Sequence, residues 1–183
     1  GYSTRNSSGV PDNFKNYFVL AFSKPFDAKY IWHDSVLVNN KSEVQTSHAG
    51  AVVGFKTGDN EKITVKVASS FISIAQAEQN LKSEIGNNNF QQTVNASEKE
   101  WNKILGTVKA EGGTTEQLQT FYSCLYRATC FPQKHYEMDA AGKIIHYSPY
   151  NGKVLPGYMY AGTGFWDTFR ALYPLLNLFY PSV

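Results

Sequence analysis

Between residues 16 and 71 apolar and polar positions alternate with a period near two. From residue 73 the period lengthens to about 3.6, the change that separates strands from helices. Tyr17-Phe18-Val19-Leu20-Ala21-Phe22 is apolar on both faces and predicts a strand held between two layers. Residues 28–33 give a second short strand, and residues 34–48 read as a polar connection. Ala51, Val53 and Phe55 mark a third strand. Thr57-Gly58-Asp59-Asn60 is a turn, and Ile63, Val65, Val67 and Phe71 then alternate with polar neighbours, so the pattern predicts a hairpin.

Ser73 and Gln76 have the spacing of a capping box, and Ile74, Ala77, Leu81 and Ile85 share one helical face up to a stop at Gly86. Phe90, Val94, Trp101, Leu105 and Val108 outline a second amphipathic helix. Thr114 and Gln117 repeat the capping spacing ahead of Leu118, Phe121, Tyr122, Leu125 and Thr129, a third helix that ends before Pro132. Residues 132–163, rich in Gly, Pro, Tyr and Asn, read as a long loop with a turn at 139–142 and short strands around 143–147. A loop of that length usually carries function. The final stretch, 164–183, is helical in pattern but has no polar face, with Pro174 kinking or dividing it. A helix apolar all round must be buried by neighbours. This chain supplies few, so it is expected to be an internal piece of a longer polypeptide, with any leader peptide upstream. Strands first and helices second predict an α+β class with a boundary near residue 73.

Composition agrees with an ordered protein: 42% hydrophobic, 17% charged, with 12 Phe, 12 Tyr and 3 Trp. The net charge of +2 is spread along the chain and offers no concentrated basic patch, so nucleic acid is not an expected partner. No apolar run approaches the roughly 20 residues that span a bilayer, and no membrane partner is expected. Cys124 and Cys130 fall on different sides of a helix and are expected to be free, largely buried thiols. His33, His48, His135 and His146 lack metal-ligand spacing and are expected on the surface or in loops. Sequons stand at Asn6, Asn40 and Asn95 and matter only in a eukaryotic secretory context.

The chemistry concentrates in Phe165-Trp166-Asp167-Thr168-Phe169-Arg170. Asp167 in so apolar a run needs a partner. It either pairs with Arg170 one turn on, a structural role, or faces a cavity and accepts hydrogen bonds from ligand hydroxyls, with Arg170 holding it and Trp166 covering a ring. Carbohydrate suits the second arrangement. Tyr147, Tyr150, Tyr158 and Tyr160 in the preceding segment are compatible with it, or with simple packing.

Gly164-Phe165-Trp166-Asp167-Thr168-Phe169-Arg170 followed by Ala171-Leu172-Tyr173-Pro174-Leu175-Leu176 resembles the signature of glycoside hydrolase family 92, calcium-dependent exo-acting α-mannosidases. Val10-Pro11-Asp12-Asn13-Phe14-Lys15-Asn16-Tyr17-Phe18 is similar to a strand of that family's N-terminal domain. Ser70-Phe71-Ile72-Ser73 with Ala77, Asn80, Leu81 and Glu84 resembles the passage into its helical linker. Trp101-Asn102 and Thr115-Glu116-Gln117 through Phe121, Tyr122, Leu125 and Tyr126 resemble the linker tryptophan and the first barrel helix. The resemblance implies three segments: the end of a β-sandwich domain (1–72), a helical linker (73–113), and the opening of an (α/α)6 catalytic barrel (114–183). It implies an inverting mechanism assisted by Ca2+, and a mannose-containing oligosaccharide as substrate. A secreted, periplasmic or cell-surface location follows, with the remainder of the same polypeptide as partner. The acid, the base and the calcium ligands are expected beyond Val183; Glu111, Glu116 and Asp139 are not put in their place. Asp167, Trp166 and Arg170 are expected to line the terminal mannose subsite, with Asp167 accepting from hydroxyls and not transferring the proton. Two alternatives stay open: a non-catalytic carbohydrate-binding β-sandwich module, and a structural interaction segment without ligand.

Overall fold

The computed structural model describes residues 1–5, 10–38 and 41–181. The sequons at Asn6 and Asn40 and the terminal Val183 lie outside the described residues. The chain forms two compact units, one made of Gly1–Phe18 with Ser69–Val183, the other of Val19–Ala68.

The first half holds strands β1 (Tyr2–Ser3), β2 (Asn16–Phe22), β3 (Ala28–His33), β4 (Val36–Val38), β5 (Ala49–Gly54) and β6 (Val65–Ser70). Within residues 19–68, β3 is the centre of an antiparallel sheet in the order β4-β3-β5, with Ile31 opposite both Val38 and Ala51. Alternation along β3 sends Tyr30 and Trp32 to one face and Ile31 to the other. Trp32 lies against Gly50, where an added Cβ would run into the indole, so glycine is the cross-strand partner that fits. The segment taken as a polar connection contains β4, reached through a tight turn at Asp34 (φ 45°) and Ser35 (φ 68°). A two-residue hairpin turn demands left-handed backbone there, and no Asn-Gly signal announced it.

The hairpin expected across residues 57–60 does not form: β5 pairs with β3, and β6 lies beside β2. The turn exists, with the Glu61 carboxylate accepting from the Gly58 N–H at 3.0 Å. It is pinned elsewhere, because the Lys24 ammonium donates to Glu61 at 2.8 Å and to the Lys56 carbonyl at 2.6 Å. A turn signal shows where the chain reverses, not which strand becomes the neighbour. The Phe18 and Leu20 side chains of β2 are exposed, so the strand is not held between two layers among the described residues.

In the unit made of 1–18 and 69–183, the helices come where the period changes. Helix α1 (Ile74–Asn80) runs into one π-helical turn (Leu81–Ile85) closed by Gly86 at φ +51°. Helices α2 (Phe90–Leu105) and α3 (Thr115–Thr129) follow. Thr114 and Gln117 make the reciprocal capping box as predicted, and Asn89 and Gln92 make another that the sequence pattern concealed inside an asparagine run. Ser73 caps α1 through the Gln76 N–H, but the Gln76 side chain does not return the bond; it turns inward to Asn80 and the Met138 carbonyl. Trp101 packs on Tyr126 with ring centroids 4.6 Å apart, and the Tyr122 hydroxyl donates to the Val108 carbonyl at 3.0 Å, joining α2 to α3. Among the described residues Ala77 and Leu125 are the buried apolar side chains. Cys124 and Cys130 are free, but Cys124 is exposed, contrary to the burial expected, because it lies off the face that carries Leu125.

Residues 132–163 are not a loop. They form β7 (Gln133–Lys134), β8 (Glu137–Met138), β9 (Ile144–Ser148), β10 (Lys153–Pro156) and β11 (Tyr160–Ala161), arranged as an antiparallel β10-β9-β8 meander and a β11-β7 pair. Strands therefore return after the helices, and the chain stays α+β without clean segregation. His135 lies in the loop between β7 and β8, as expected, and is half-buried; His146 sits within β9, half-buried, and so is neither on the surface nor in a loop, its Nδ1 2.9 Å from the Gly157 carbonyl oxygen. The closing stretch divides into α4 (Phe165–Thr168) and α5 (Leu172–Phe179). The break falls at residues 169–171, and Pro174 lies in the first turn of α5, where its missing N–H costs little.

Candidate functional site

The site is a single turn of helix displayed by short strands. Gly162, at φ +87°, brings the chain out of β11 tight against the Phe131 ring, which an added Cβ would meet at 3.3 Å. Thr163 Oγ1 and the Tyr173 hydroxyl, 2.8 Å apart, tie this exit to α5. Thr168 Oγ1 donates to the Gly164 carbonyl at 2.7 Å and closes the α4 turn. Phe165 stacks on Phe169 at 5.9 Å and meets Tyr173 at 6.0 Å, which makes α4 a platform resting on α5.

On that platform Trp166 is 84% exposed and Phe165 73%, and Asp167 is exposed beside them. The Asp167 carboxylate folds back over Gly164: an added Cβ there would stand 2.8 Å from its Oδ2. The Arg170 guanidinium lies 5.3 Å from the centre of the Phe169 ring. Among the described residues the ion pairs involve Lys24, Glu61, His33, His48 and Asp34, and Asp167 does not pair with Arg170. The structural alternative for these two residues thus lacks the contact it requires. What α4 offers is an exposed indole and, at the next position, an exposed carboxylate, groups that cover a ring and accept from hydroxyls.

The tyrosines of the preceding segment divide. Tyr147 donates to the Asn13 carbonyl at 3.1 Å and packs near Phe14, a structural role. Tyr158 and Tyr160 both meet the Tyr136 ring edge-on, and burial, followed by the neighbouring Tyr136 hydroxyl, raises the Tyr160 pKa above the phenolic norm. Tyr150 stands clear in solvent. Glu116 is exposed at the start of α3, and its pKa is lowered chiefly by the Thr114 side chain, as befits a helix-start residue. Asp139 accepts from the Ala141 and Lys143 N–H groups at 2.9 and 2.8 Å in a turn.

Sequence pattern missed a polar cluster beneath the meander. The Glu137 carboxylate accepts from the Phe71 N–H and from Asn80 Nδ2, each at 2.7 Å. Asn80, 6% exposed, also donates to the Ser69 carbonyl at 2.9 Å. An inward-facing asparagine in α1 was the available signal, and its partner 57 residues on was not readable.

No group of three or more His, Cys, Asp or Glu side chains among the described residues could hold a metal ion. The His33 and His48 imidazoles flank Asp34 at 3.5 and 3.8 Å, exposed on the surface, and do not form such a group. Among the described residues, then, no such group offers a calcium ion a site.

Residues 76–183 match the glycosyl hydrolase family 92 catalytic domain, and residues 1–70 match the glycosyl hydrolase family 92 N-terminal domain. The chain belongs to glycosyl hydrolase family 92. It is similar to the family GH92 inverting mannosidase BT2199 from Bacteroides thetaiotaomicron VPI-5482, at 45% identity and a TM-score of 0.89, over 94% of this chain and 24% of that one. It is similar to the GH92 α-mannosidase BT3965 from Bacteroides thetaiotaomicron, at 26% identity and a TM-score of 0.72, over 90% of this chain and 23% of that one. A third structure, the gh92 family glycosyl hydrolase ccman5, shares 25% identity with a TM-score of 0.81, over 92% of this chain and 22% of its own length. The chain thus spans about a quarter of the solved proteins it matches. No curated protein matches it.

Proposed function

We propose that this chain is part of an exo-acting, inverting α-mannosidase, and that Asp167, Trp166 and Arg170 line the subsite for the terminal mannose. The observation that carries this is the exposed Trp166–Asp167 pair on α4, inside a segment matching the family's catalytic domain. The relatives point the same way: one is an inverting mannosidase, and BT3965 has been solved with mannoimidazole bound. Asp167 accepts from sugar hydroxyls, Trp166 covers the ring's C–H face, and Arg170, its guanidinium over the Phe169 ring, borders the same subsite. The sandwich, linker and barrel division at 72 and 113, and a secreted, periplasmic or cell-surface location, belong to this proposal. So does Ca2+, held by polypeptide outside this chain.

In an inverting glycosidase one carboxylic acid protonates the leaving oxygen while an opposed carboxylate activates water. Both are assigned here to the remaining polypeptide, and no step is routed through Asp167. The test is hydrolysis of an aryl α-mannoside followed by NMR of the released sugar. A complete polypeptide carrying this segment releases β-mannose, whereas these 183 residues alone release none. Initial release of α-mannose, or turnover by the 183 residues, would overturn the proposal.

A further inference from the structure

The two family segments meet at residues 71–75, between a match ending at 70 and one beginning at 76. Such a junction is ordinarily a loose linker with few contacts. Here its first residues are tied down within one compact unit. The Phe71 N–H donates to Glu137, and the Ser70 hydroxyl accepts from the Ile72 and Ser73 N–H groups at 2.9 and 3.3 Å while 2% exposed. The Phe71 ring stacks on both Phe14 and His135, centroids 4.9 Å away in each case; Phe14 and His135 are themselves 6.1 Å apart, so the three rings form one cluster, with the His135 plane inclined to Phe71 by only 2°. One residue is therefore held twice, its amide by the Glu137 carboxylate of β8 and its ring by the imidazole just before that strand.

We propose that Phe71 is the pivot of a joint between the two family segments, and that charging His135 loosens it. The groups around His135 explain the direction. Phe14 and Phe71 offer ring faces, and the Met159 carbonyl accepts from the His135 backbone N–H at 2.9 Å. Beyond Phe14 stands the Tyr147 phenol, its proton given to Asn13. On its own element, Lys134 lies over the Tyr136 ring, and the Glu137 carboxylate is engaged by Phe71 and Asn80. Burial lowers the His135 pKa below its ordinary 6.5, which favours the neutral imidazole in the closed joint. As pH falls through about 6.5 the open form takes up the proton first, so protection of the joint is complete above that value and is lost below it.

Hydrogen exchange of the Phe71 amide, corrected for its intrinsic rate, reads this directly in the whole chain. Protection falls below pH about 6.5 by up to about tenfold per unit, while the Leu125 amide in α3 keeps its own. His135→Phe keeps the stack and abolishes the slope. Glu137→Gln lowers protection at all pH values and keeps the slope; circular dichroism confirms its fold, and if it fails to fold His135→Phe decides alone. A flat profile in the native chain, a slope persisting in His135→Phe, or parallel loss at Leu125 would each overturn the joint. None of these readouts involves sugar, so the result is independent of the mannosidase proposal.

Discussion

At the residue scale, Asp167 and Gly164 are coupled by contact. The Gly164 backbone has φ −81° and ψ 123°, which any residue adopts, yet an added Cβ meets the Asp167 carboxylate at 2.8 Å. Gly164→Ala is therefore expected to leave stability within about 0.5 kcal/mol and to swing the carboxylate away. Thermal melting of the substituted chain checks the first part, and mannose affinity in a complete polypeptide the second. Trp166 and Asp167 were readable as a candidate site because a polar group in an unbroken apolar run stands out. His135 and Glu137 were not. Their partners, Phe71 and Asn80, come from more than fifty residues away, and neither residue breaks any local pattern.

At the element scale, local rules carried the helices and failed on sheet partners. The Thr114–Gln117 box and the Gly86 stop follow from side-chain reach and left-handed backbone, both local properties. Strand neighbours depend on contacts far along the chain, which is why the 57–60 turn misled. Within residues 132–163, β9 answers the short strand expected around 143–147, while β7, β8, β10 and β11 read as loop because runs of two to four residues carry too little period to register. Thr114→Ala removes the hydroxyl that accepts from the Gln117 N–H at 3.3 Å. It is expected to cost about 1 kcal/mol, seen as a shift in the denaturant midpoint with unchanged slope.

At the scale of the whole molecule, the accessible surface is 13733 Å². Trp166, Phe165 and Leu178 are among the most exposed apolar side chains of the described residues. That agrees with a chain matching about a quarter of its solved relatives. The resemblance carried by Gly164 to Leu176 led to the family because it is a long motif in a defined order; periodicity alone gave only the α+β class.

The central claim is that Asp167 faces sugar. Its most direct test is Asp167→Ala in a complete polypeptide, assayed as kcat/KM on an aryl α-mannoside alongside the melting temperature. Loss of a charged hydrogen-bond acceptor predicts a fall of about 10- to 100-fold with melting essentially unchanged. Activity within about twofold of the native protein, or a loss that only tracks a collapse in melting temperature, would contradict it.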